Sequence, residues 1–423
     1  MSSFSQRTTT APAGPATVHT LPTPVQDVVT WRGSFRTNPD FAAGEELLQD
    51  LVVRLLDKGT RKRDRFALAG ILEDRGAQLG FNAEALRVRL SGRALKQDVP
   101  AVLELMAEQL REPALDAEEF EKARAQVTAG LRRAYENTGA RASSALAHRL
   151  YPEAHPNFDP GVPALLDRLS SITIDDIRAY HDEHFRSADF HLVFVGDLDE
   201  ETIRSDVRTQ FDGWNATPAP EQFEGRKAAG QAGVPIHESI PDKANFDVSF
   251  GHAVDLLRTD PDFIPLYVGT FVLGGNFSAR LMTIVRDEMG LTYGIRAGLN
   301  GFTGEHTGHF NTRVTLSGDG LEPGIAATRN ELRRFMEDGI TKDELAEKQE
   351  TISGSFKVGL ATTSGIAASL LTNIERGFGP AYLDAFPDRI QALTVEQVNS
   401  AIRTHLDFDA LETVVAGDMA SRE

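Results

Sequence analysis

Apolar and polar residues alternate along this chain with two different periods. Apolar side chains return every three or four positions, the period of a helix packed on one face, in the segments 44–56, 99–110 and 117–135. They alternate with polar side chains, the period of a half-buried strand, in the segments 85–91, 192–196 and 245–251. The chain therefore mixes helices with sheets, and the pattern predicts an α+β fold.

The two halves of the chain repeat one another. Residues 172–197 recur as residues 393–418 at an offset of 221, and residues 116–131 recur as residues 341–356 at an offset of 225. Two long copies indicate two similar domains, because a solenoid would need more and shorter repeats. We therefore predict a tandem duplication.

The segments outside the two copies differ in composition. Residues 214–235 are rich in proline, glycine and alanine, which predicts a linker. Residues 1–27 are rich in serine, threonine, proline and alanine and have no apolar core, which predicts a flexible N-terminal tail and not a signal peptide. The two α+β domains then span residues 28–213 and 236–423.

Composition excludes several classes of protein. The chain has 62 acidic and 44 basic residues and a formal charge of −18, which opposes binding to nucleic acid and to anionic membranes. It has no cysteine, so disulfides and thiol chemistry are ruled out while the compartment stays open. No stretch has the length of a membrane span. We expect a soluble protein, cytoplasmic or periplasmic, whose acidic charge serves solubility.

One short segment carries the most specific candidate chemistry. Ser278 is a candidate N-cap, Gly290 a candidate helix stop, and residues 291–295 a predicted strand. Arg286 would then lie in the last helical turn and Tyr293 in the strand, so that the guanidinium and the phenol could converge on one point. Both are donors suited to a peptide carbonyl whose oxygen becomes negative as water attacks. For either residue alone, the alternative is a solvated arginine or a half-buried strand tyrosine.

This order of residues resembles the second domain of the insulinase/pitrilysin-like (inverzincin) zinc peptidases. That family has a Gly-Gly turn, a Ser-x-Arg-Leu helix start and an Arg-x6-Tyr pair. The matching residues here are Gly274-Gly275, Ser278 to Leu281, and Arg286 with Tyr293. The resemblance runs from near Val28 to the end of the chain. It implies two domains, each a mostly antiparallel sheet covered by helices, and two such halves closing around a chamber.

The first domain departs from the family at its zinc site. Peptidases of the family carry H-x-x-E-H, in which two histidines bind zinc and the glutamate acts on the water. When the stretch that follows the motif is aligned, the five motif positions of this chain are occupied by Asp50, Leu51, Val52, Val53 and Arg54. The third ligand, a glutamate, would fall near Ala129 and Gly130. We expect no zinc site in this chain and no hydrolysis by this chain alone.

Residues 76–83 also resemble a family feature, the Gly-rich strand that pairs with the substrate backbone in catalytic halves. Because no zinc helix accompanies it, we expect a structural edge strand here.

Two pairs of histidines have a spacing that metal ligands can also have. His181 and His184 are three residues apart, but the second copy has Ile402 in place of His181, so a metal-binding pair is not repeated. His306 and His309 fall in a strand-like stretch and would lie on its opposite faces. We therefore predict that neither pair binds a metal.

The resemblance implies a division of labour between two chains. One chain carries the H-x-x-E-H zinc site, and the other carries the Arg-x6-Tyr pair. We expect this chain to be the second kind, a non-catalytic subunit that closes the chamber and offers Arg286 and Tyr293 to a peptide or unfolded polypeptide. Zinc is then expected in a partner subunit of similar size. Two alternatives stay open: a structural subunit like the core proteins of respiratory complexes, and a stand-alone peptide-binding protein.

Overall fold

The computed structural model describes residues 3–37, 44–84, 86–186, 189–214 and 234–420. Residues 215–233, most of the predicted linker, lie outside the described residues. The chain divides into two compact units. Unit 1 consists of Met1–Ala129, Leu165–Glu221 and Phe356–Ala385, and unit 2 consists of Gly130–Ala164, Gln222–Ser355 and Phe386–Glu423.

Helices and strands alternate along both halves of the chain. The strands of the first half are β1 (Thr9–Ala13), β2 (Ala16–Pro22), β3 (Val28–Arg36), β4 (Gln78–Glu84), β5 (Arg87–Leu95) and β6 (His191–Gly196). Its helices are α1 (Phe4–Arg7), α2 (Glu46–Leu55), α3 (Arg65–Glu73), α4 (Val99–Arg111), α5 (Ala117–Tyr135), α6 (Thr138–Leu150), α7 (Val162–Ser171), α8 (Ile174–His184) and α9 (Glu200–Phe211), with a 3-10 turn at Lys96–Asp98.

The second half follows a similar order. Its strands are β7 (Ile236–Ser239), β8 (Asn245–Val254), β9 (Thr292–Asn300), β10 (Gly308–Ser317) and β11 (Glu412–Gly417). Its helices are α10 (Phe263–Gly274), α11 (Leu321–Asp338), α12 (Lys342–Gly359), α13 (Thr363–Glu375), α14 (Ala381–Gln391) and α15 (Val395–His405), and a π-helix spans Met282–Glu288.

Each unit is built around one sheet. Unit 1 has a six-stranded sheet in the order β1-β2-β6-β3-β5-β4, and unit 2 has a five-stranded sheet in the order β7-β11-β8-β10-β9. Neighbouring strands are antiparallel except for β2 beside β6 and β7 beside β11. The prediction of a duplicated α+β fold, with mostly antiparallel sheets covered by helices, is confirmed.

The repeated sequence forms the same local structure in both copies. α8 and α15 each begin with a capping box, in which the Thr173 side chain accepts from the Asp176 backbone and the Thr394 side chain from the Gln397 backbone. The side chain at the third position bonds back to the cap residue, so two N–H groups at each helix start are satisfied. The strands that follow, β6 and β11, are almost wholly buried.

One helix from each half belongs to the unit built mainly from the other half. α6 lies in unit 2, where it packs on β8 and β11 and where Leu146 shares a core with Val414. α13 lies in unit 1, where it packs on β3 and β6 and where Leu370 shares a core with Val193. The two copies have thus exchanged equivalent helices.

This exchange corrects the predicted domain bounds of 28–213 and 236–423. They are wrong for residues 130–164 and 356–385, which the structure assigns to the opposite units. An amphipathic pattern shows that a helix buries one face, but it does not show which sheet covers that face.

The prediction of a flexible tail at residues 1–27 is wrong. The described part of this segment forms α1, β1 and β2, with Val18 and Leu21 fully buried. Gly14, at φ +60°, occupies the two-residue turn between the strands. A composition rich in threonine and proline suits strands near a sheet edge, where proline removes few ladder hydrogen bonds.

Among the described residues, no helix combines the length and apolar character needed to cross a bilayer.

Candidate functional site

The positions that align with the zinc motif lie on α2 in unit 1. Leu51 and Val52 are completely buried in the core, while Asp50 and Arg54 are partly exposed one helical turn apart. Arg54 Nε donates a hydrogen bond of 2.7 Å to Asp50 Oδ2. Val53, at the position of the family's catalytic glutamate, has no group that could take a proton.

Three of these α2 residues, Asp50, Val53 and Arg54, line a cleft with a volume of about 540 Å³. The helix α5 forms a second wall through Ala123 and Gln126, and the edge strand β4 forms a third through Phe81 and Asn82. Ala129 and Gly130, the predicted positions of the third ligand, are not among the described residues that line it.

This cleft does not fit zinc. A catalytic zinc site needs three protein ligands and an open position for water. The one acidic residue among the motif positions, Asp50, is already paired with Arg54, whose positive charge would repel a dication. No group of three histidine, aspartate or glutamate side chains among the described residues has metal-binding geometry.

Arg286 and Tyr293 lie on either side of a helix-to-strand junction in unit 2, as the sequence predicted. Arg286 is in the π-helix, Gly290 follows that helix with φ +67°, and Tyr293 is the second residue of β9. The predicted cap is wrong, since Ser278 is not the N-cap of the π-helix and its hydroxyl donates to Glu347 Oε1 at 2.9 Å. Short π-helical segments are frequent at functional sites.

The segment before the π-helix is fixed by α12. Lys348 is buried, and its Nζ donates to the Ser278 carbonyl at 2.9 Å and to the Ser278 hydroxyl at 2.7 Å. Arg280 donates to both carboxylate oxygens of Glu344, at 2.9 and 2.7 Å. Burial opposes ionisation of Glu344, but hydrogen bonds from Arg280 and Thr341 outweigh it and lower the pKa of that carboxyl. Two charged side chains of α12 thus hold this segment in place.

The two predicted site residues have few partners of their own. Arg286 Nη1 donates to Asp287 Oδ1 at 2.7 Å, and its guanidinium lies 5.8 Å from the centre of the Phe277 ring. Tyr293 is 97% exposed, which excludes the half-buried tyrosine considered above, and its hydroxyl bonds to no described residue. Within the described chain no hydrogen bond joins Arg286 to Tyr293, so their convergence on one point stays a prediction.

The histidine pair of α8 has a packing role. His181 Nε2 lies 2.9 Å from the Leu110 carbonyl in the core, and burial lowers the pKa of His181. His184, in the last turn, packs against the Tyr180 ring. Its counterpart His405 ends α15 beside Asp262, at 3.0 Å. Both recurring histidines are helix-end residues, which agrees with the sequence interpretation.

The second histidine pair differs from its prediction. His306 lies in the loop before β10 and not in the strand, whereas His309 is in β10. The His306 ring packs edge-on against the His155 ring, and the Tyr151 hydroxyl forms a hydrogen bond of 2.6 Å with His309 Nδ1. Burial, with neighbouring His252 and His155, lowers the pKa of His309 to about 4. This buried cluster could not be predicted from the sequence, because its members come from three distant segments.

Comparisons with known proteins place both halves of the chain in one group of families. Residues 48–157 match the model of insulinase (peptidase family M16), and residues 171–352 match that of the peptidase M16 inactive domain.

Full-length relatives agree with these matches. An uncharacterized zinc protease of Streptomyces coelicolor is 24% identical over 358 residues, 82% of this chain and 76% of the relative. The non-peptidase homolog YmxG of Helicobacter pylori is 20% identical over 373 residues, 88% and 84% of the two chains. The crystal structure of a peptidase M16 inactive domain from Pseudomonas fluorescens has a TM-score of 0.85 at 24% identity, and the match covers 97% of each chain.

Proposed function

Because this chain belongs to the peptidase M16 family and the described residues of its α2 cleft do not fit zinc, we propose that it is the non-catalytic subunit of a two-chain metallopeptidase. The partner would be a chain of similar size with an H-x-x-E-H zinc site. This chain would close the chamber and present Arg286 and Tyr293 to the peptide.

The exposed phenol of Tyr293 is the observation that carries this proposal. The side chain is 97% exposed and bonds to no described residue, so it contributes little to the packing of its own unit. The segment that leads into the neighbouring π-helix is nevertheless anchored by buried Lys348 and by the Arg280–Glu344 pair. A mobile surface tyrosine would not need so firm a support, whereas a donor offered to another molecule gains from a fixed position.

The two side chains would have different roles in peptide hydrolysis. The Tyr293 hydroxyl would donate to the scissile carbonyl oxygen and bind it more strongly as that oxygen becomes negative. The Arg286 guanidinium would add a charge-assisted hydrogen bond and hold the peptide before the reaction. Arg286 retains donors for this contact, since only its Nη1 bonds to Asp287.

The first test is assembly. We would co-express this chain with an H-x-x-E-H chain encoded beside it and measure the mass of the complex by size-exclusion chromatography with light scattering. We expect one heterodimer that holds one zinc ion and cleaves a fluorogenic peptide, while this chain alone holds none and cleaves nothing. Separate elution of a zinc-bearing chain that is fully active alone would contradict the proposal.

The second test addresses the chemistry within that complex. Tyr293→Phe should lower kcat by about a hundredfold to a thousandfold and change KM less, because the lost donor acts mainly in the transition state. Tyr135→Phe is a matched control, since Tyr135 is a partly exposed tyrosine of the same unit. Both variants should melt like the wild type. Wild-type rates from the Tyr293→Phe complex would favour the structural-subunit alternative.

A further inference from the structure

The cleft on α2 has its own unused donors. Arg54 is held through Nε by Asp50, and neither of its Nη groups bonds to a described residue. The side-chain amides of Asn82 and Gln126 line the same cleft and likewise make no hydrogen bond within the described chain. These donors line one cleft and are open to a ligand, since no described residue uses them.

The charge of the cleft differs from that of the whole chain. Four basic side chains line it, Arg54, Lys58, Arg65 and Lys122, against three acidic ones, Asp50, Asp57 and Glu119. The chain as a whole has 44 basic and 62 acidic residues. The cleft lining thus has one basic residue in excess, whereas the whole chain has a formal charge of −18, so an anionic ligand meets less repulsion here than the net charge would suggest. Ion pairs occupy the Nζ groups of Lys58 and Lys122 and the Nη1 group of Arg65, whereas Arg54 is paired only through Nε and keeps both Nη groups for a ligand.

The shape of the cleft favours a peptide over a small ion. Its volume of about 540 Å³ is far larger than a phosphate or an acetate needs. Leu79, Phe81 and Val53 supply apolar surface beside the donors. The wall formed by β4 is the edge of its sheet, where part of the backbone N–H and C=O groups have no strand partner.

We infer that this cleft binds a peptide through a carboxylate, which the Nη groups of Arg54 hold where zinc would lie in a catalytic relative. Arginine suits this role because its planar fork matches the two oxygens of a carboxylate. Asp50 acts as a positioning residue that fixes the guanidinium by its hydrogen bond to Nε. The carboxylate is either the C-terminus of the peptide or an acidic side chain. The site lies in unit 1 and does not depend on the proposed partner subunit.

The test is fluorescence anisotropy of this chain alone with fluorescein-labelled hexapeptides of alanine and valine. One peptide has a free C-terminal carboxylate, a second has a C-terminal amide, and a third has the amide with a glutamate as its last residue. We expect the free acid to bind about tenfold to a hundredfold more tightly than the plain amide. Tight binding of the third peptide assigns an acidic side chain as the source, and weak binding assigns the chain terminus.

Variants connect the effect to Arg54. Arg54→Gln should lower the affinity for the free acid to that for the plain amide and leave the affinity for the amide unchanged. This comparison isolates the contact of the guanidinium with the carboxylate. Arg54→Lys should give an intermediate affinity, because the charge stays and the fork is lost. Ala123→Met should weaken the binding of all three peptides, because the longer side chain fills the cleft. Arg333→Gln, which removes an exposed helical ion pair of the other unit, is the matched control.

Three results would overturn the inference. These are equal affinity of the plain amide and of both peptides that carry a carboxylate, a preference for a carboxylate that survives Arg54→Gln, and no detectable binding of either peptide that carries a carboxylate. Unchanged melting temperatures would show that the variants are folded, and Arg54 is exposed enough that its loss should not disturb the core.

Discussion

The equivalent faces of α5 and α12 differ in one decisive position. The sequence repeat aligns Ala123 of α5 with Lys348 of α12. In unit 1 the short alanine side chain borders an open cleft of about 540 Å³. In unit 2 the side chain of Lys348 is buried and donates to Ser278. The lysine therefore fills the side of α12 that corresponds to the open side of α5.

This difference shows how a duplicated fold can acquire two uses. Glu119 and Glu344 are also equivalent in the repeat, and each binds basic side chains of its own unit. The framework of helix and sheet is therefore shared, while the length of one side chain decides between a cavity and a support for the Arg286 segment. Substitutions in the shared framework should have equal effects in both units, and substitutions at the divergent positions should not.

The largest effects are expected in the exchanged helices. Leu146→Ala in α6 and Leu370→Ala in α13 should each lower the free energy of unfolding by about 2–5 kcal/mol, because both side chains are fully buried and each leaves a cavity. Val358→Ala, at a position 74% exposed, should change it by less than about 0.5 kcal/mol. Urea unfolding followed by circular dichroism measures all three. A negligible cost for only one leucine would break the equivalence of the two exchanges.

Acidification should weaken both units through buried histidines. Burial and then His191 lower the pKa of His19 in unit 1 to about 4, the value that His309 also reaches in unit 2. Between pH 6.5 and about 4 the unfolded chain binds protons that these folded histidines do not bind. The free energy of unfolding should therefore fall as pH drops through this range, by roughly 3 kcal/mol for each histidine, and level off below it.

Replacement of each histidine tests that pH dependence. His19→Gln and His309→Gln should each flatten the dependence over this window, since glutamine keeps hydrogen-bonding groups and does not titrate. Urea titrations at a series of pH values give the slopes. An unchanged slope in both core variants would show that other groups control acid stability.

A smaller effect is expected at Lys348. Lys348→Met should cost about 1–3 kcal/mol, because the carbonyl and hydroxyl of Ser278 lose the charged donor of buried Lys348. Amide exchange at residues 275–288 should quicken, since the segment before the π-helix loses an anchor. Mass spectrometry of exchanged peptides measures both this region and, as an internal control, β11. Exchange rates equal to those of the wild type would show that Lys348 does not support the Arg286 segment.

The smallest effects concern the two capping boxes. Thr173→Ala and Thr394→Ala should each cost about 1 kcal/mol, because the N–H group at the third helical position loses its acceptor. Thr→Ser at the same positions keeps the hydroxyl and should cost less. Thermal melting compares the pairs. A cost in only one helix would show that the cap is redundant in the other copy.

The features predicted well were those that local sequence determines. Gly290 follows the π-helix as predicted, because its positive φ suits a residue without a side chain. The fold class followed from two periodicities and a repeat. The junction that carries Arg286 and Tyr293 could be placed for the same reason, although the π-helical winding and the true role of Ser278 could not.

The features missed depend on contacts between distant segments. The position of α6 and α13 is decided by which sheet covers them, and their apolar stripes fit either sheet. Threonine and proline at residues 9–22 suggested disorder because the parallel partner of β2, the strand β6, lies far along the chain. The α5 residues that border the cleft could not be found by counting, since Ala123 is identified only when α5 is seen beside α2.

The exchanged helices also affect how the chain can be synthesised and divided. During translation the strands β3 and β6 emerge long before α13, so the sheet of unit 1 must wait for a helix encoded near the end of the second half. Contacts of such high sequence separation slow folding and expose apolar surface meanwhile. A cut after Trp214 would leave each fragment with the helix that the other one needs. The two halves are therefore a single folding unit, although their sequences descend from one repeated segment.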